Sequence, residues 1–133
     1  MRIVILMLLL FVVSSGAMAE WVQIGGYGGA AIYTDSSNIQ KEGNIVRMWI
    51  LHNYYIAQRG AGGKMYLSVD EQDEFDCKEK QMRSLYFSYH SGNMGGGESV
   101  YSNSISNNNS SRWDPVEPDS TGEHLLKYAC GIK

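Results

Sequence analysis

Six carboxylates, Asp70, Glu71, Asp73, Glu74, Asp76 and Glu79, crowd one stretch of the chain and raise the question of a Ca²⁺ site. An EF-hand loop opened by Asp70 would need glycine at its sixth position and glutamate at its twelfth, and the chain has Phe75 and Gln81 there. A solvated strand edge, interleaved with Lys78 and Lys80, accounts for the run better. Three glycine clusters, Gly25-Gly26-Tyr27-Gly28-Gly29, Gly60 to Gly63 and Gly92 to Gly97, invite a phosphate loop. That chemistry needs the glycines to open a helix whose amides face the anion, and each cluster here leads toward another strand, so all three read as turns. His52, His90 and His124 are far apart, without a partner at helical ligand spacing. No nucleophile elbow and no paired-histidine zinc motif is present, and 14 acids in the chain make a glycosidase carboxylate pair no evidence at all. The expectation is a protein with no catalytic residues, no metal and no cofactor.

The two cysteines, Cys77 and Cys130, allow one intramolecular pairing, closing a loop of 53 residues. A catalytic thiol or a metal pair would need neighbouring ligands that neither cysteine has. A disulfide is expected, provided the chain leaves the cytoplasm.

Export is what the first 19 residues predict. Arg2 is followed by an unbroken apolar run from Ile3 to Val13, then Ser14, Ser15 and Gly16, then Ala17-Met18-Ala19. The apolar run is about half the length a membrane span requires, and the small-x-small tripeptide suits signal peptidase. Residues 1–19 are read as a cleaved signal and 20–133 as one domain beginning at Glu20, with no cysteine there to carry a lipid anchor. Removing the signal takes one base and no acid, leaving 10 bases against 14 acids. That balance argues against nucleic acid as a partner and against a polybasic membrane surface. The mature chain is not expected to be an integral membrane protein.

The elements that would position a site are mostly strands. Glu20 to Ile24 and Ala30 to Thr34 alternate, the first closed by Gly25-Gly26 and the second by Asp35-Ser36-Ser37-Asn38. After the turn at Glu42-Gly43-Asn44, Ile45 to Tyr55 is the strongest strand signal. Val46, Met48 and Ile50 share one face and Ile45, Trp49 and Leu51 lie with Arg47 on the other, which predicts a central strand. Lys64 to Asp70 follows with Met65, Leu67 and Val69 inward, then Cys77 to His90, then Glu98 to Ser102. Ser102 to Ser111 is polar and reads as an exposed loop whose two glycosylation sequons, Asn108-Asn109-Ser110 and Asn109-Ser110-Ser111, arise by chance in such a run. Ser120-x-x-Glu123 has capping-box spacing, Leu125, Leu126 and Ala129 follow, and Gly131 sits at a helix C′ position. The fold class expected is α+β: a mainly antiparallel sheet of about six strands, with one C-terminal helix packed on it and held by the disulfide.

In order along the mature chain stand Tyr33-Thr34-Asp35 with Ile39, then Gly43-Asn44-Ile45-Val46-Arg47-Met48-Trp49, Glu74-Phe75-Asp76-Cys77 and Tyr89-x-x-Gly92-x-Met94-Gly95. They are followed by Trp113-x-Pro115-Val116-x-Pro118-x-Ser120 and Leu125-Leu126-Lys127-x-Ala129-Cys130. This succession resembles the bacterial surface-adhesin protein E family. The resemblance implies a six-stranded antiparallel sheet, a C-terminal helix bridged to it through Cys77 and Cys130, and binding of host matrix or plasma proteins such as laminin, vitronectin and plasminogen. Glu20 stands where the family's namesake carries a lipidated cysteine.

The function expected is that of a non-enzymatic exported binding protein, periplasmic or at the cell surface, whose partner is a host matrix protein or an envelope component. An exposed edge strand would also suit a homodimer. The alternative is a periplasmic structural or stress-associated protein that binds a small ligand or a cell-envelope component; a deep apolar pocket between sheet and helix would favour the small ligand. Among nine tyrosines and three tryptophans, Tyr27, Tyr54 and Tyr55 lie near loop or strand ends and are the candidate contacts. Trp21, Trp49 and Trp113 are expected in the core.

Overall fold

The structure, a computed structural model, describes residues 19–105 and 112–132. The signal segment up to residue 18 and both sequons lie outside the described residues.

Ile45–Arg59 forms a 15-residue strand, β4, around which the sheet is organised. Its β-branched and aromatic residues favour the extended backbone, and strands pair along both of its edges. Before it come β1 (Trp21–Tyr27), β2 (Ala30–Asp35) and the short β3 (Gln40–Glu42); after it come β5 (Met65–Asp76), β6 (Gln81–His90), β7 (Ser99–Ser104) and β8 (Asp114–Pro115). The six longer strands pair in the order β1-β2-β4-β5-β6-β7, all antiparallel, while β3 pairs with β4 and β8 with β6. The predicted sheet is therefore present, with two short strands added.

The helix α1 (Thr121–Cys130) begins and ends as its sequence requires. Ser120 Oγ accepts the Glu123 N–H at 3.1 Å, and Gly131, in the left-handed conformation, sends its N–H back to the last turn. Instead of reaching back to the cap, the Glu123 carboxylate pairs with Lys127 at 3.3 Å. Leu125, Leu126 and Ala129 bury against Ile32, Val46, Met48, Ile50 and Phe75. Burying each leucine contributes about 1.5–3 kcal/mol, and a helix of ten residues would not persist in water without such contacts. Cys77 and Cys130 are bonded, with Cα atoms 5.8 Å apart, and join the turn after β5 to the last residue of the helix.

Several local readings change. Gly25 and Gly26 do not end β1 but lie inside it, and the turn falls at Gly28-Gly29. The reason is the helix: His124 comes down over Gly25 and its imidazole bonds to the Ile24 carbonyl. A Cβ at Gly25 would lie 2.8 Å from His124 Nε2. Gly25→Ala is expected to push the imidazole off that carbonyl and cost about 1 kcal/mol, read as a lower urea midpoint; an unchanged midpoint would show that this contact carries nothing. Cys77 to Lys80 form a turn rather than the start of β6, and Met65 is exposed rather than inward. None of the three tryptophans is fully buried. Trp49 lies on the sheet face away from the helix, edge-on to Tyr86 at 5.6 Å, and Trp113 lies under the Arg83 guanidinium at 4.3 Å.

The acidic run is no solvated edge either. It occupies the second half of β5, a strand paired on both sides. Carboxylates are tolerated there because flanking strands present cations. Glu74 is held by Arg47 on β4 (3.0 Å) and Arg83 on β6 (2.7 Å). Burial alone would raise its carboxyl, but the bonds from Arg83 and Arg47 bring it below the usual value. His52 bonds Glu71 at 2.8 Å and His90 bonds Asp70 at 2.7 Å. Among the described residues, Asp73 alone is buried with no hydrogen bond to either carboxyl oxygen.

Candidate functional site

Directly paired residues in an antiparallel sheet share a face. His52 pairs with Ile32 on one side and Val69 on the other; Val69 pairs with Tyr89, and Tyr89 with Tyr101. All of them stand on the face that carries Ile32, the face α1 covers at its other end. One sheet face is thus divided. One end is closed by the helix, and the other, beyond it, carries rings.

Those rings touch in sequence across the sheet. From β1, Tyr27 approaches His52 with centroids 6.1 Å apart, and its hydroxyl lies 3.4 Å from that of Tyr54 and 3.3 Å from His52 Nδ1. Tyr54 meets Tyr66 edge-on at 5.8 Å, and Tyr66 stacks on Tyr89 at 4.6 Å and 10°. Phe87 and Tyr101 complete the array, each within 6.0 Å of Tyr89. Offset and edge-to-face rings hold one another in place, each pair contributing about 0.5–1.5 kcal/mol beyond area burial. Burial raises the Tyr54 phenol first, helped by the neighbouring Tyr27 hydroxyl, and burial likewise raises Tyr66. The strip therefore offers phenol hydroxyls and ring faces, with the hydrogen-bonded His52–Glu71 pair beside them.

The surrounding backbone is tied down. Asn53 Oδ1 accepts from Asn93 Nδ2 at 3.0 Å and from the Met94 N–H at 2.8 Å. Ser68 Oγ donates to the Gly92 carbonyl at 2.6 Å and accepts from the Gly95 N–H at 2.9 Å. These bonds fix the short turn Asn93–Gly95 beside the strip and leave Met94 partly exposed.

Of the three tyrosines singled out from the sequence, Tyr27 and Tyr54 come together in this array. Tyr55 follows in the chain, 68% exposed, and beside it Ile56 is 76% exposed. Reasoning along the chain missed Tyr66, Phe87, Tyr89 and Tyr101. Phe87 and Tyr89 alternate with Ser88 and His90 as in any strand; nothing local says that the helix stops short of them.

The clefts at the helix margins are small. One of about 260 Å³ is bounded by Gly25, Ile32 and His124, and one of about 280 Å³ by Met82, Pro115 and Val116. Both fall below the usual 300–1,000 Å³ of small-molecule pockets, and the sheet–helix interface between them is filled by the core. Among the described residues, no three His, Cys, Asp or Glu are placed to hold a metal ion, and no helix is long and apolar enough to cross a membrane.

Comparison with known families matches the surface-adhesin protein E model over residues 21–131. Among solved structures, crystal form II of Haemophilus influenzae protein E superimposes with a TM-score of 0.59 at 14% identity, covering 86% of this chain and 97% of that one. Protein E from non-typeable Haemophilus influenzae gives 0.56 at 15% identity, covering 88% and 76%. The curated proteins contain no match.

Proposed function

Starting from the fact that this chain belongs to the surface-adhesin protein E family, we propose that it is an exported, non-enzymatic adhesin whose protein-binding surface is the aromatic end of the sheet. The observation that carries the reading is the division of one face. The helix stops, and the same face continues as interlocked rings with Tyr27 and Tyr101 exposed, and with Tyr55, which follows Tyr54 in the chain, exposed as well. Tyrosine supplies a large rigid contact with a polar tip at low entropic cost, the combination found at the energetic centres of protein interfaces. Host matrix or plasma proteins are the partners this reading names, and the small clefts give no support to a small-ligand role.

The test has two parts. On intact cells the protein should be reached by antibody or external protease while a periplasmic control is protected; protection of both would end the adhesin reading. Purified mature protein is then titrated against immobilised laminin, vitronectin and plasminogen. Tyr55→Ala and Tyr101→Ala are each expected to weaken binding about tenfold or more, and Tyr128→Ala, on the exposed side of the helix, to leave it unchanged. Equal affinity for all three variants would place the contact elsewhere.

A further inference from the structure

Two independent observations meet at Glu20. In the sequence, Ala17-Met18-Ala19 ends one residue before it, with the spacing signal peptidase requires. In the structure, Glu20 is where the chain first takes hold of the sheet. Its backbone nitrogen lies 3.1 Å from Asp35 Oδ1, and its carbonyl accepts the Ser36 N–H at 3.0 Å and the Ser36 hydroxyl at 3.3 Å.

Asp35 is an unusual receiver. Its residue is only 7% exposed, and the same oxygen also takes the Ser37 N–H at 3.1 Å and the Ser37 hydroxyl. Among the described residues it has three neutral donors and no Lys, Arg or His partner. Three neutral donors hold this carboxylate, and a cation placed beside it would add a Coulomb attraction that they do not supply. The cleft in front of it, about 200 Å³, is bounded by Ala19, Trp21, Trp49 and Asp70, and Asp70 is itself bonded to His90. That wall of two indoles and a second carboxylate favours positive charge.

We propose that cleavage after Ala19 makes the missing cation, so that removal of the signal locks β1 onto the sheet through an ion pair between the Glu20 α-ammonium and Asp35. Water adds across the Ala19–Glu20 peptide bond: its oxygen goes to the Ala19 carbonyl, which leaves as a carboxylate, and the Glu20 nitrogen gains hydrogen to become an amine, protonated at neutral pH. The nitrogen already stands within hydrogen-bond reach of Asp35, so pairing requires no movement of the sheet. An amide donating to a carboxylate becomes an ion pair, with a full positive charge on the donor as well. The proposal rests on the exported reading, though not on adhesion.

Every strand and the helix among the described residues lie within residues 21–130, so the processed chain carries all of them. Two forms are compared by urea unfolding at neutral pH, one starting at Glu20 and one retaining Met18-Ala19, each with and without Asp35→Asn. The Glu20 terminus is expected to raise the folding equilibrium constant roughly 5- to 30-fold over the extended form, and Asp35→Asn to abolish that difference. Equal stability of the two termini, or a difference that survives Asp35→Asn, overturns the ion pair. Should Asp35→Asn fail to fold, acetylation of the Glu20 amine serves instead: loss of the same increment supports the pair, and an unchanged urea midpoint refutes it. The mass of the exported protein tests the other half separately. A chain beginning at Glu20 supports the link to processing, and one beginning elsewhere overturns it whatever the unfolding data say.

Discussion

Replacing both cysteines, Cys77→Ser with Cys130→Ser, is expected to lower the unfolding free energy by about 4 kcal/mol, the chain-entropy value for a closed loop of 53 residues. The loss should be conspicuous because of what the bond holds. Helix α1 has ten residues, too few to form alone, and it is attached to the sheet by one apolar side and by Cys130. The side carries Leu125, Leu126 and Ala129; the bond fixes the far end of the helix to the turn after β5, where the Cys77 N–H is also tied to the Asn44 carbonyl at 2.9 Å. Without the bridge, the last turn frays first and exposes the core beneath it. Changing both cysteines together avoids the mispairing that a lone thiol invites. Urea unfolding with equal midpoints for the native and double-serine proteins would show that the helix is held by packing alone, and two reactive thiols in the unreduced native protein would mean that the bond does not form in the cell.

The second large effect has the opposite sign. Asp73→Asn keeps a polar group of the same shape but removes the charge, and is expected to stabilise the protein at neutral pH, read as a higher urea midpoint. Asp73 is fully buried with both oxygens unpartnered, and in register it stands between Met48 of β4 and Ser84 of β6 on the side the helix covers. Burial first, and then the Glu71 charge, push its carboxyl well above the usual carboxylate range. A carboxyl raised in the folded state favours folding fully below its unfolded pKa, about 3.9, and that contribution is lost as pH rises toward the folded pKa. The variant's advantage should therefore be small near pH 4 and grow as pH increases. Asp35 and Glu74 run the other way, since both are lowered on balance in the folded state and their contributions are lost as pH falls. Because they are present in both proteins, the difference between variant and wild type isolates Asp73. A stability gap of equal size at pH 4 and pH 8 would contradict this account.

The unpaired Asp73 shows why the acidic run could not be understood from spacing. The positions of Asp70, Glu71, Asp73 and Glu74 along the chain are compatible with a solvated edge. Their fate depends on which residue of another strand stands opposite: Arg47 and Arg83 for Glu74, His52 near Glu71, His90 for Asp70, and no cation for Asp73. Cross-strand register is set by pairing over the whole sheet and by irregularities such as the one between Gln72 and Asp73, which displace every later contact. The aromatic strip is hidden from the sequence in the same way, since Tyr54, Tyr66, Tyr89 and Tyr101 belong to four different strands.

What the sequence determined by itself is what depends on neighbours along the chain: the strand at Ile45 through its β-branched and aromatic run, the helix through Ser120 and Gly131, and, from a count of two, the Cys77–Cys130 bridge. These are short-range preferences or a single available pairing, and no long-range contact is needed to read them. Only the tertiary structure decided that Gly25 lies inside a strand to let His124 approach, that the tryptophans stay out of the deepest core, and that the helix covers one end of a face and leaves the rest as a ring-lined surface. Each of those is a relation between elements far apart in the chain, set by how far a ten-residue helix reaches across a sheet whose longest strand has 15 residues. At about 1.5 Å per helical residue against 3.3 Å per strand residue, the helix covers about a third of that strand's length, and the aromatic surface lies on what remains.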